Sequence, residues 1–152
     1  MSDKGRILVV DDDRAIRTLV AKIVERAGFP VDTALDGGEA IQKINETRYA
    51  VCVVDLMMPN VSGYDFVEYI REHCLDYRPA VIVITAVADS SAILPLDGRI
   101  VHSVVRKPFD IGVLADLITA TALTMQTAEE TKQDDREDDS DDESRVVQFP
   151  GK

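Results

Sequence analysis

The sequence predicts an α/β protein in which a parallel sheet of five strands is covered by helices on both faces. Three observations carry that expectation. Short apolar runs alternate five times with segments of helical periodicity, the pattern of successive βαβ units. The runs at 6–10, 50–54 and 80–85 are nearly continuous in β-branched and apolar residues, as strands buried on both faces are. Four of the runs end at a polar side chain, namely Asp11 with Asp12, Asp55, Thr85 and Lys107. In a parallel sheet those ends share one edge, beyond which open α/β sheets bind ligands.

The first strand, Arg6 to Val10, stops at Asp11-Asp12-Asp13. Ile16, Leu19, Val20, Ile23, Val24 and Ala27 then recur at helical spacing, with Gly28 as the stop. Asp13 is expected to cap that helix, where an acid also suits the positive end. Pro30 to Ala34 reads as a weaker, more exposed strand, and Asp36 as the cap of a second helix with Ala40, Ile41 and Ile44 inward. The central strand, Ala50 to Val54, meets Asp55 and a turn rich in breakers, with Pro59 and Gly63. A third helix from about Gly63 should bury Phe66, Val67 and Ile70. The fourth helical segment, between Ala88 and Arg99, is interrupted by Pro95 and Gly98 and is expected to be short or distorted. Val101 to Arg106 gives the fifth strand; Asp110 caps a last helix carrying Ile111, Leu114, Leu117 and Ile118.

With 152 residues, 45% apolar and 30% charged, the chain has the composition of a globular domain with a proper core. No apolar run approaches the roughly 20 residues that span a bilayer, and the first residues lack signal-peptide architecture. The expectation is a cytoplasmic protein without membrane insertion. Cys52 and Cys74 form no disulfide framework and no zinc site by themselves, so both are expected as reduced structural thiols. His73 and His102 have no ligand partner at useful spacing. A net charge of −11 without a basic patch makes the chain a poor candidate for nucleic-acid phosphates, which clustered cations bind. Residues 124–152 hold ten acids against four bases. A domain at 1–124 is therefore expected to be followed by an acidic tail at 125–152, too poor in apolar residues to offset its ordering entropy.

Two carboxylates about 4 Å apart repel by about 4 kcal/mol at an effective dielectric near 20. Gathered at one edge, Asp11, Asp12 and Asp55 would raise one another's pKa or recruit a cation. A divalent ion plus Lys107 balances their three negative charges. Oxygen-only donors point to a hard metal, and Mg²⁺ keeps open positions for phosphate oxygens.

These residues carry a resemblance. Val9-Val10-Asp11-Asp12, Asp55-x-x-Met58-Pro59-x-x-x-Gly63, Thr85-Ala86 and Lys107-Pro108-Phe109, in this order, make the stretch from about Gly5 to Leu123 resemble the receiver domain of two-component response regulators. The resemblance implies a doubly wound, flavodoxin-like sheet of order 2-1-3-4-5. It implies that Asp55 accepts a phosphoryl group from the phosphohistidine of a sensor histidine kinase or a histidine phosphotransfer protein. Asp12 and Asp55 would then ligate Mg²⁺ (or Mn²⁺) directly, Met57 through its backbone carbonyl and Asp11 mainly through a bound water. Thr85 and Lys107 would contact the phosphoryl oxygens. The function implied is a stand-alone signalling receiver, not an enzyme acting on other substrates, that binds a downstream protein target which the sequence does not name.

Three positions depart from the family pattern: Val104 stands where an aromatic is usual, Ile100-Val101 where small residues are, and Pro95 interrupts the fourth helix. All three fall on the side that usually signals, which suggests an atypical output surface. One alternative is a degenerate receiver acting only as an interaction module. Another is a phosphatase of the haloacid-dehalogenase type, imitated by Asp11-x-Asp13, Thr85 and Lys107. Ala15 and the lack of an acidic pair closing a strand after Lys107 count against that second alternative.

Overall fold

The computed structural model describes residues 5–141, apart from positions 75, 87, 88 and 94. The elements follow in the order β1 (Ile7–Val10), α1 (Arg14–Arg26), β2 (Val31–Ala34), α2 (Gly37–Glu46), β3 (Val51–Asp55), α3 (Gly63–His73), β4 (Ala80–Thr85), α4 (Ser90–Ile93), β5 (Val101–Arg106) and α5 (Ile111–Asp141). The strands form one sheet of order β2-β1-β3-β4-β5, with every pair parallel. This is the doubly wound sheet expected.

The continuous apolar runs divide their side chains between two cores because alternate residues of a strand face opposite sides. Leu8, Val10, Cys52, Val54, Val81 and Val83 lie in one cluster with Phe66, Val67 and Ile70 of α3. Ile7, Val9, Val51, Val53, Ile82 and Ile84 lie in the other, with Val20, Ile23 and Val24 of α1 and Leu114, Ile118 and Ala122 of α5. β2 is an edge strand and buries only Ala34 fully.

Helix starts follow the capping logic. The Asp13 carboxylate accepts the N–H groups of Ala15 and Ile16, Asp36 that of Glu39, and Asp110 that of Val113. Ser62 and Asp65 form a reciprocal capping box at α3. α4 has four residues, and Pro95 lies two positions beyond its last residue. Cys52 is buried, Cys74 is the C-cap of α3, and both are free thiols. His73 and His102 are exposed.

Ile111 is 54% exposed and Leu19 is half-exposed, because each sits at the margin of its helix's apolar stripe. The stretch Ile111–Ala128 is, by length and composition, apolar enough to cross a membrane, with a mean hydropathy of 1.3. Gly112, Asp116 and several threonines break it into short runs, so no single run revealed it. Its buried apolar residues Leu114, Ile118 and Ala122 all belong to the core beneath the sheet. Finally, α5 continues to Asp141, so the first part of the expected tail, 125–141, has helical backbone. Residues such as Ala128, Glu129, Glu130 and Lys132 favour a helix by propensity alone. Positions 142–152 lie outside the described residues.

Candidate functional site

Strand register brings the predicted residues to one edge. Val10 pairs with Val54, Asp55 with Ile84, and Thr85 with Arg106, so Asp11, Asp55, Thr85 and Lys107 close four neighbouring strands at the same level. Asp11 is 3% exposed and Asp55 6%, while Asp12 is exposed. One carboxylate oxygen from each of the three lies within 4.8 Å of the others. Lys107 reaches over them, its Nζ 3.2 Å from Asp11 Oδ2 and 3.6 Å from Asp55 Oδ2.

Local structure fixes each carboxylate. Asp13 donates its N–H to Asp11 Oδ1 at 2.9 Å, and the Met57 N–H lies 3.3 Å from Asp55 Oδ1. The Arg17 guanidinium, one turn into α1, donates to the Asp11 carbonyl at 2.8 Å and holds the loop that presents Asp11 and Asp12. Beyond Asp55 the chain turns back so tightly that the Gly63 N–H bonds the Leu56 carbonyl at 3.0 Å. A Cβ on Gly63 would fall against the Asp55 carbonyl oxygen and within 2.7 Å of Leu56 Cα. Only glycine allows this approach, which explains its place eight residues after the strand-ending acid. Asn60 supplies the left-handed residue of the turn, at φ 66°. Thr85 is buried at the end of β4, and its carbonyl accepts the Lys107 N–H at 2.9 Å. Met58 is anchored in the core, whereas the Met57 side chain is exposed at the rim.

The electrostatics are unbalanced. Burial and then the neighbouring Asp11 charge raise the Asp55 pKa above the usual carboxylate value, despite opposing contributions from Lys107 and the Met57 N–H. Burial pulls Lys107 downward, but Asp11 and Asp55 together outweigh it and hold the ammonium firmly protonated. Three carboxylates face one cation, and every side-chain donor at the cluster is oxygen. That donor set and the residual charge of −2 fit a hard divalent ion such as Mg²⁺.

The sequence pointed to Asp11, Asp12, Asp55, Thr85 and Lys107, and these strand ends share the edge. It did not point to Arg17, whose role depends on a backbone carbonyl, or to the contact of Gly37 N–H with the Val61 carbonyl at 3.1 Å. That bond ties the start of α2 to the loop after Asp55. Only the position of Arg17 one turn after the Asp cluster hinted at its part.

The model of the response regulator receiver domain matches residues 7–119. Protein PilG of Pseudomonas aeruginosa is 31% identical over 121 residues, which cover 78% of this chain and 88% of PilG. The transcriptional regulatory protein ResD of Bacillus subtilis is 41% identical over 71 residues, 47% of this chain and 30% of ResD. The chain spans 30% to 38% of the lengths of ResD and two further transcriptional regulators that it matches. The solved structure of the chemotaxis response regulator CheY4 of Vibrio cholerae superposes with a TM-score of 0.70 at 26% identity, covering 77% of this chain and 98% of CheY4. Fold, strand-end residues and family match agree: the chain belongs to the response regulator receiver domains of two-component systems.

Proposed function

We propose that this chain is a phosphoacceptor signalling module in which Asp55 is the residue modified. The observation that carries the reading is the convergence of Asp11, Asp12 and Asp55 under Lys107 at the carboxyl edge of the sheet. An Asp55 carboxylate oxygen attacks the phosphorus of a phosphohistidine, on a sensor histidine kinase or a histidine phosphotransfer protein. The new O–P bond forms as the P–N bond breaks, and the electron pair leaves with the imidazole nitrogen. Positioning and charge neutralisation supply most of the catalysis in such a displacement, and a carboxylate is an established covalent nucleophile.

Asp12, Asp55 and the Met57 carbonyl would hold Mg²⁺ (or Mn²⁺), with Asp11 acting through water. When bound, the ion neutralises charge on the transferring group. Lys107, 3.6 Å from Asp55, would meet a phosphoryl oxygen there, and Thr85, closing the adjacent strand, would meet another. The modified state then signals through binding to a protein target, and the 88% coverage of PilG supports a receiver that works as a unit of this size. In this reading the chain catalyses only its own phosphorylation and dephosphorylation. The haloacid-dehalogenase alternative needs Asp13 as a free acid, whereas its carboxylate accepts two N–H groups as the cap of α1.

The test is intact-protein mass after incubation with Mg²⁺ and acetyl phosphate, beside Asp55→Asn. The expected result is one phosphoryl group on the parent and none on the variant. No labelled species under rapid quenching would favour the degenerate interaction module instead.

A further inference from the structure

The short helix α4 ends on a carbonyl that its own backbone does not satisfy. An Ala92 carbonyl in a continuing helix would accept from residue 96, or from residue 95 in a tighter turn. The Leu96 N–H is used by Ile93, at 2.9 Å, and residue 95 is proline, which has no N–H. The donor comes from another helix: the Tyr64 hydroxyl donates to the Ala92 carbonyl at 2.7 Å.

Tyr64 is also one residue past the closest turn of the site. Gly63 bonds Leu56, the neighbour of Asp55, so the path from the acid to α4 runs through Leu56, Gly63 and Tyr64 with a hydrogen bond at each crossing. The Tyr64 ring packs on the same core cluster as Leu96 and Val104. Val104 offers no polar atom with which to respond to a charge at the site.

We propose that the Tyr64 hydroxyl is a clamp that couples Asp55 to α4, so that the state of the site is read out on α4 through Tyr64. The inference rests on the phosphoacceptor reading. Tyr64 is a positioning residue here: it acts through the backbone of α4 and touches no reacting atom.

The test compares the full chain with Tyr64→Phe, which removes one oxygen and keeps the ring. Both proteins are followed by nuclear magnetic resonance with Mg²⁺ alone and with Mg²⁺ and beryllofluoride as the probe of the acyl-phosphate state. Without beryllofluoride, Tyr64→Phe should shift the Ala92 carbonyl carbon and speed amide exchange at Ile93 and Leu96 about fivefold. With it, Met57 and Gly63 should respond equally in both proteins, while the shifts of Ser91, Ala92 and Ile93 should fall by half or more in the variant. An equal α4 response in both, with Met57 and Gly63 responding, would overturn the clamp and leave the phosphoacceptor reading intact. No response at Met57 or Gly63 in the parent would sink both. Equal melting temperatures of the two proteins would exclude general destabilisation as the cause of a reduced response.

Discussion

The two edges of the sheet use similar side chains to opposite ends. At the amino edge, Asp32 of β2 accepts the Tyr49 hydroxyl at 2.7 Å and the Arg6 guanidinium at 3.1 Å. One carboxylate meets one cation and one neutral donor, and the three groups lash the starts of β1, β2 and β3 together. Burial, then the bond to Asp32, raises the Tyr49 pKa above the ordinary phenol value, which favours the phenol as a donor. At the carboxyl edge, three carboxylates meet one Lys107. The balanced edge is complete and contributes stability. The unbalanced edge has charge left over and is arranged to receive something. What distinguishes a structural polar network from a binding site here is its charge balance, not its residue types.

The largest effect is expected at the amino edge. Tyr49→Ala removes a buried ring and leaves Asp32 with one fewer donor, so it should cost about 3–5 kcal/mol in urea unfolding. If the edges are separate in function, affinity for Mg²⁺ at the other edge should be unchanged in the folded variant. A matching loss of affinity would show that the two edges act as one unit.

Next in size is the response to metal. Mg²⁺ at a hundred times its dissociation constant should stabilise the parent by about 2.7 kcal/mol. At the same concentration, Asp12→Asn should lose at least half of that gain, read as the shift in melting temperature. An undiminished gain would place the ion elsewhere.

A smaller effect has the opposite sign. Because the folded-state pKa of Asp55 is raised, the folded protein binds that proton more tightly than the unfolded chain. The stabilisation from that proton is present below the unfolded carboxylate pKa and is lost as pH rises through the folded one. Metal-free Asp55→Asn should therefore be more stable than the parent at pH 7, by on the order of 1 kcal/mol. The advantage should shrink as pH falls into the carboxylate range. A variant less stable than the parent at pH 7 would mean that Lys107 balances the site on its own.

The smallest effect sharpens the contrast. Arg6 and Asp32 have side chains 41% and 33% exposed, so Arg6→Gln should cost less than about 1 kcal/mol. A larger loss would assign the amino edge's stability to the ion pair rather than to the buried phenol.

Much of this molecule was legible along the chain. Asp13, Asp36 and Asp110 could be read as caps because a capping oxygen and its N–H lie two or three residues apart. α4 could be read as short because Pro95 acts on its own turn. The exposure of Ile111 and Leu19 was not legible, because helical periodicity gives the centre of an apolar stripe more sharply than its margins. Tyr64 gave no signal: its partner is a carbonyl 28 positions away, and any residue has a carbonyl.

The sequence by itself determined the strands, most caps and the polar residues that close the strands, since a strand buried on both faces must be apolar until it ends and a polar residue marks that end. Only the tertiary structure decided which polar groups are paired. Arg17 with the Asp11 carbonyl, Tyr49 with Asp32 and Tyr64 with Ala92 join segments that meet only when the sheet is assembled. Hydrogen bonds are short and directional, so their partners are fixed by where folding places the backbone, and residue type alone does not carry that information.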